Sequence, residues 1–413
     1  MIDILVIGGG ASGMMAAITA ARAGARVVVV EQLSKAGKKL AATGNGKCNF
    51  TNADMNASHF RGDGELFMSI YPEFNQRQTL AFFHDIGIFP YNKNGYYYPK
   101  SESAQTLVNA LTAELGRLMV PIHCEEKVTS IRGNAKKGFR ITTSKNQYQA
   151  KAIIIACGLM ASPKLGSDGS MLEILKNMGH HFTSITPALC GLNCMGLNFA
   201  KVNGVRIQAS VKALVNGTCL SEDRGELQLA EYGISGIPCF QISRYISQGL
   251  AEHKKCQVIV DFLPSFTEEE LTEELNFRTE QFANETAAWL FQGILPQKLI
   301  QPLLDQAGIR FETKLRKLGD KELRNLAHFV KNLVLDVKSA RDFEFAQVCA
   351  GGIRSTEIHP TSLESELVPG LFFAGEILDV DGICGGYNLQ WAWSSGYCAG
   401  RHAAGFLNEQ FSY

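Results

Sequence analysis

Gly8, Gly10 and Gly13 have the G-x-G-x-x-G spacing, between the apolar run Ile4-Leu5-Val6-Ile7 and the alanine- and methionine-rich stretch Ala11 to Ala23. In that setting each glycine has a separate task. Gly8 permits the turn out of a strand, Gly10 admits a pyrophosphate to the backbone, and Gly13 lets the following helix pack close to the sheet. The N–H groups of Ala11, Ser12 and Gly13 then face the phosphates at a helix N-terminus, where the dipole favours negative charge. Glu31 lies eighteen residues beyond Gly13 at the end of the run Val27–Val30, with Gln32 beside it. A carboxylate there accepts hydrogen bonds from the adenosine ribose hydroxyls and disfavours a 2′-phosphate. The chemistry predicted is binding of an ADP-containing dinucleotide, FAD or NAD rather than NADP.

The elements needed to position these groups are legible. Ile4–Ile7 has the continuous apolar character of a strand buried on both faces of a parallel sheet. Ala11 to Ala23 reads as a helix closed by Gly24 in a left-handed cap. With Val27–Val30 this makes a βαβ unit. Residues 33–60 are rich in glycine and asparagine and read as a long ordered loop; 65–86 and 102–119 read as helical. Val128–Arg132, Phe139–Thr143 and Tyr148–Ala150 read as a meander feeding the buried strand Ala152–Cys157.

Beyond Pro187 short alternating runs suggest a mainly antiparallel region over 190–262, and Thr267-Glu268-Glu269-Glu270 opens a helical region. From Phe343 the glycine-rich, strand-like texture returns and ends in a helix near Asn388–Phe406. The expected organisation is an α/β, Rossmann-type FAD-binding domain made of residues 1–189 and 343–413. It is interrupted by an inserted domain, 190–342, with a β-rich part at 190–265 and a small helical subdomain at 266–330.

Two segments favour FAD over NAD. Ile153-Ile154-Ile155-Ala156-Cys157-Gly158 resembles the strand-plus-glycine run near the cofactor of glutathione-reductase-like flavoproteins. Leu371-Phe372-Phe373-Ala374-Gly375-Glu376 resembles their carboxy-terminal strand. Ala156, Gly158, Gly375 and Glu376 thereby join the candidate cofactor contacts, with Val128 at the head of the meander.

Further motifs resemble a bacterial and archaeal flavoprotein family often named for BaiN and also called aminoacetone oxidase-like. They are Thr43-Gly44-Asn45-Gly46-Lys47-Cys48-Asn49-Phe50-Thr51-Asn52, the run Glu376 to Gly382, and Gly385-Gly386-Tyr387-Asn388-Leu389-Gln390-Trp391-Ala392. Glu231 to Pro238 resembles the family's GLSGPA stretch less closely, and Ile383-Cys384 replaces the more usual x-Thr. The resemblance covers essentially the whole chain. It implies an FAD domain built from both chain ends, and an NAD(P)H- or FAD-dependent oxidoreductase, some family members acting on steroid-type enones. It also implies cofactor contacts at Gly44, Asn45, Gly46, Asn49, Asp379, Gly386, Asn388 and Leu389. Gly385-Gly386 would aim a helix N-terminus at the flavin pyrimidine. Lys38 and Lys39 are expected to meet phosphate or ribose oxygens.

Composition narrows the partners. Hydrophobic residues make up 46% and charged residues 19%, and Lys+Arg and Asp+Glu are both 40. That balance gives no electrostatic case for nucleic acid or an anionic membrane. No run approaches the roughly 20 apolar residues of a membrane span. The first apolar run, at Ile2, has no basic segment before it, which argues against a signal peptide. Eleven cysteines without paired spacing fit a reducing cytoplasm. Cys190, Cys194, Cys239 and Cys256 lack a CxxC pair and read as buried small hydrophobes, so no metal is expected. Cys48 and Cys384 read as buried or supporting thiols rather than a redox pair.

The leading expectation is hydride transfer between FAD and a small organic substrate. No second glycine fingerprint is present for a nicotinamide, so NADH or NADPH would bind transiently over the flavin or not at all. Tyr96, Tyr97, Tyr98, His84 and Tyr387 are candidate proton donors, with no catalytic acid assigned. Alternatives are an oxygen-using FAD oxidase of amines, and a flavin-carrying sensor or RNA-modification partner.

Overall fold

In the computed structural model, which describes residues 2–410, the amino-terminal run forms strand β1 (Ile2–Ile7). The glycine turn leads into helix α1 (Ala11–Arg22), and Val27–Val30 forms strand β2. Strands β1 and β2 pair in parallel, with Ile4 beside Val27 and Ile7 beside Val30. Strand β3 (Gln147–Ile155) flanks β1 on its other side, also in parallel. The two stretches Tyr148–Ala150 and Ala152–Cys157 thus belong largely to one strand. Its outer edge is shared. Gln147–Ala150 pairs antiparallel with the meander, and Ile153–Ile155 pairs in parallel with strand β4 (Leu371–Phe373). Ile4, Leu5, Val6 and Ile153 to Ile155 have no solvent exposure, as expected for central strands covered on both faces.

Helix α2 (Tyr387–Gln410) lies along α1. An added Cβ at Gly396 would stand 2.5 Å from the Ser12 carbonyl oxygen, and one at Gly400 2.4 Å from that of Ala16, so these glycines set the closeness of the two helices.

The chain divides into two compact units, Met1–Ile185 with Gln347–Tyr413, and Thr186–Ala346. The second unit is a closed barrel of six strands. Their order is Leu192–Met195, Gly233–Gly236, Thr218–Ala230, Arg206–Val215, Cys256–Asp261 and Leu333–Ala340. Every pairing is antiparallel. The region read as antiparallel strands over 190–262 also holds a fifteen-residue helix, Ile237–Ala251, with a proline in its first turn. It buries Cys239, Ile242 and Ile246 in the same apolar cluster as the barrel residues Val211, Leu227 and Val258. Helices Glu268–Gln281, Gln297–Gln306 and Asp320–Lys331 complete the unit. The first opens on the foreseen capping box, in which Thr267 Oγ1 accepts the Glu270 N–H at 3.1 Å and Glu270 accepts the Thr267 N–H at 2.8 Å. Among the described residues no helix is long and apolar enough to cross a membrane.

Candidate functional site

The carboxyl ends of four parallel strands lie side by side. The Gly8 N–H donates to the Val30 carbonyl at 2.9 Å, Ala156 to Ile7 at 2.8 Å, and Ala374 to Ile155 at 2.9 Å. Turns leaving such an edge converge where open α/β sheets bind ligands. Gly8 leaves β1 with φ of 107°, in the left-handed region. An added Cβ there would stand 2.5 Å from the Ala156 oxygen, and one on Gly13 would stand 1.9 Å from the Gly8 oxygen. Around Gly10 an added Cβ would meet no protein atom within 4 Å. Gly10 caps α1 without a side-chain hydrogen bond, so the first-turn N–H groups at Ala11, Ser12 and Gly13 are left for an outside acceptor. Two glycines close the packing and the third keeps an opening beside bare N–H groups.

Glu31 is 8% exposed, and its two oxygens each accept a backbone N–H at 2.8 Å, from Gly9 and Leu33. Burial pushes its carboxyl above the usual range, with Lys38 among the charges opposing that rise. Gln32 fixes the neighbouring loop by donating to the Gly166 carbonyl at 2.8 Å. The segment leading to Val128 runs alongside, since the Glu126 N–H donates to the Glu31 carbonyl at 2.9 Å. Glu31→Gln turns one acceptor into a donor facing an N–H. We expect it to weaken FAD binding about 10- to 100-fold, in line with about 1.5–3 kcal/mol for hydrogen bonds to a charged group. Flavin titration of the flavin-free protein checks this; unchanged affinity removes Glu31 from the site.

Lys39 faces a carboxylate of its own chain. Its ammonium pairs with Glu376 at 2.7 Å, with both side chains largely buried. Glu376 also accepts the Cys349 N–H at 2.8 Å, so its carboxylate is held from two sides. Gly158 has φ of 69°, and an added Cβ there would approach Ser167 Oγ and lie 3.6 Å from Glu376. The Gly375 N–H donates to Ser395 Oγ at 2.9 Å, and its carbonyl accepts the Trp391 indole N–H at 3.1 Å. Asp379 accepts from Thr183 Oγ1 at 2.8 Å through one oxygen, while the other is buried without a hydrogen-bond partner.

The two glycine–asparagine motifs meet. Gly44, Asn45, Gly46 and Cys48 all have positive φ, which turns successive backbone groups along a short concave path after the helix Lys38–Ala42. Asn49 then sits against Gly386, where an added Cβ would come 2.3 Å from its Oδ1. That oxygen is buried and unsatisfied. Asn388 grips its own turn, accepting from the Gly382 N–H at 2.8 Å and donating to the Gly382 carbonyl at 2.7 Å. Asn388 and Leu389 lie in the first turn of α2, which Tyr387 opens directly after Gly385 and Gly386, both at positive φ. Asn52 donates to the Gly385 carbonyl at 2.8 Å, and Thr51 Oγ1 donates to Gln390 Oε1 at 2.6 Å. Asn52, Thr51 and Gln390 were not singled out from sequence, although all three lie inside the quoted motifs.

Among the proposed acids, Tyr387 is 5% exposed and its phenol is pushed up to about 12 by burial. Its ring lies 4.7 Å from that of His59, and Tyr96 flanks Gly385 from the other side. His84 is exposed on the helix Gln76–Asp85 and does not join them. Cys48 is fully buried, and burial pushes its thiol up to about 12, against a reactive role. Alkylation with iodoacetamide at neutral pH should therefore mark exposed Cys219 first and leave Cys48 intact until unfolding, as read by peptide mass spectrometry.

The open side of Gly10, its bare helix start, and the orphaned oxygens of Asn49 and Asp379 fit a large polar cofactor. Comparison with known proteins agrees. The HI0933-like protein Rossmann domain family matches residues 2–402. A 3-dehydro-bile acid delta(4,6)-reductase of Clostridium scindens is 44% identical over 97% of this chain and 98% of its own. The ribosomal RNA dihydrouridine synthase of Escherichia coli is 28% identical over 96% of this chain and 97% of its own. Among solved structures, a 3-ketosteroid delta1-dehydrogenase from Sterolibacterium denitrificans superposes with a TM-score of 0.51 at 13% identity, covering 98% of this chain and 99% of that one. That likeness concerns the fold. The family match and the 44% relative extend over nearly the entire sequence, and this Rossmann-type FAD flavoprotein belongs to the HI0933-like family of oxidoreductases.

Proposed function

We propose that the protein reduces a carbon–carbon double bond conjugated to a carbonyl in a small organic molecule, with NADH or NADPH as the electron source. The similarity at 44% over 97% of the chain to a delta(4,6)-reductase of 3-dehydro-bile acids carries this reading. The dihydrouridine synthases act, by their name, on a base whose reducible double bond is also conjugated to a carbonyl. The two relatives thus share a reaction type across different substrates. The balanced charge, 40 basic against 40 acidic residues, favours the small molecule over RNA.

Bound FAD supplies the hydride chemistry. The chain's own groups bind and orient. Ala11 to Gly13 offer N–H groups to the pyrophosphate beside Gly10, and Glu31 accepts from the ribose hydroxyls. Val128 and Gln32 frame the adenosine end, with Lys38 balancing the Glu31 charge. Gly158, Ala156, Gly375, Glu376 and Asp379 line the middle of the cofactor, and Lys39 holds Glu376. Gly44, Asn45, Gly46 and Asn49 would hold the isoalloxazine end, towards which Gly386, Asn388 and Leu389 would present the N-terminus of α2. A partial positive charge there stabilises a reduced flavin's negative charge.

The test is anaerobic. NADH or NADPH should bleach the flavin, and a steroid 4-en-3-one should restore the oxidised spectrum with gain of two hydrogens in the product. Restoration by ribosomal RNA but not by the enone would move the substrate to RNA. Bleaching by amines but not by reduced nicotinamides would make the protein an oxidase.

A further inference from the structure

The geometry points to a zinc site on the outer part of the FAD-type unit, formed by Glu73, Cys398 and His402 with the carbonyl oxygen of Thr361. Cys398 and His402 are four residues apart on α2, so they share one face of the helix. Glu73 ends the short turn Tyr71–Glu73. One ligand atom from each of the three side chains lies within 4.8 Å of the others. The Cys398 sulfur is 2.8 Å from the Thr361 oxygen, and a Glu73 oxygen is 3.6 Å from His402 Nε2. In a tetrahedral zinc site, bonds of about 2.3 Å to sulfur and about 2.0 Å to nitrogen and oxygen place neighbouring ligand atoms roughly 3.3–3.6 Å apart. These two edges lie within an ångström of that spacing.

The arrangement around Glu73 supports a metal over a simple ion pair. One oxygen faces His402; the other lies 3.3 Å from Arg401, is buried, and accepts no hydrogen bond of good geometry. A carboxylate that binds metal through one oxygen and faces an arginine with the other is an ordinary outer-shell pattern. Arg401 also comes within 3.5 Å of His402 Nε2, the contact that metal binding replaces. Sulfur, imidazole and carboxylate together suit zinc rather than magnesium or calcium. Binding exchanges the thiol proton for the metal–sulfur bond: the proton leaves to solvent and no oxidant is needed. The ion would clasp α2 to the 71–73 turn and to the Thr361 loop.

Zinc chloride titrated into flavin-loaded, chelator-treated protein should bind one equivalent per chain, and zinc-edge X-ray absorption should show one sulfur neighbour at about 2.3 Å. Cys398→Ser and His402→Asn should each weaken binding about 10-fold or more, with flavin content unchanged, and Cys219→Ser should have no effect. His402→Asn, on a partly exposed position, carries the test if Cys398→Ser fails to fold. No stoichiometric binding, no sulfur neighbour, or equal affinity in His402→Asn overturns the assignment. None of these outcomes depends on the enone reading.

Discussion

Gly10→Ala should yield a folded but colourless protein, whereas Gly13→Ala should lose both flavin and stability. Gly10 has φ of −82° and ψ of −170°, a conformation open to alanine, and the space around an added Cβ contains no protein atom within 4 Å. The substitution therefore costs the flavin-free chain little. The methyl group instead occupies the approach of the pyrophosphate to the first turn of α1. Charge-assisted hydrogen bonds are worth about 1.5–3 kcal/mol each, so losing two predicts at least a 100-fold weaker affinity for FAD. At Gly13 the same methyl group would stand 1.9 Å from the Gly8 oxygen. Either the turn or α1 must move, at about 1–3 kcal/mol or more. Flavin absorbance after purification and thermal melting of the flavin-free forms separate the two effects. A yellow Gly10→Ala protein with parental affinity would remove the pyrophosphate from this turn.

The contrast shows which parts of the molecule were legible in the sequence. The β1–α1–β2 unit is contiguous, and its glycines, apolar runs and acid each obey a local rule, so position along the chain was enough. The meander and the Thr267 capping box were legible for the same reason. Partners across the chain were not. Lys39 read as a free cation because Glu376, its partner at 2.7 Å, lies 337 positions away. The helix Ile237–Ala251 begins with Pro238 in its first turn, a start signal obscured by alternating strands on both sides. Barrel closure was equally hidden. Leu333–Ala340 pairs with Cys256–Asp261 only after three intervening helices, a non-local pairing that no local period reports.

Gln390 is the residue whose importance only the structure exposes, and Gln390→Leu should be among the most damaging single changes outside the glycine turn. Its side chain has no exposure. Oε1 accepts from Thr51 at 2.6 Å, while the two protons of Nε2 are shared among Thr79 Oγ1 at 2.9 Å, Ser394 Oγ at 3.0 Å and the Phe74 carbonyl at 3.2 Å. Thr51, Thr79 and Ser394 are themselves buried. Leucine fills the volume but strips Thr51 and Thr79 of these bonds, while Ser394 Oγ still donates to the Phe74 carbonyl at 2.7 Å, and each buried orphan costs about 1–3 kcal/mol. A loss of roughly 3 kcal/mol or more follows, with incomplete additivity within one network. The functional consequence is separate. The Thr51–Gln390 bond is one of two that join the motif ending at Asn52 to the motif that opens α2, the other running from Asn52 to the Gly385 carbonyl, so its loss loosens the contact of Asn49 with Gly386. Flavin affinity should then fall more than stability alone dictates. Thr51→Val breaks the same bond from the other side, and the double variant should cost less than the two single losses summed. If instead the losses add and flavin affinity is unchanged, the network supports the core without holding the two motifs together.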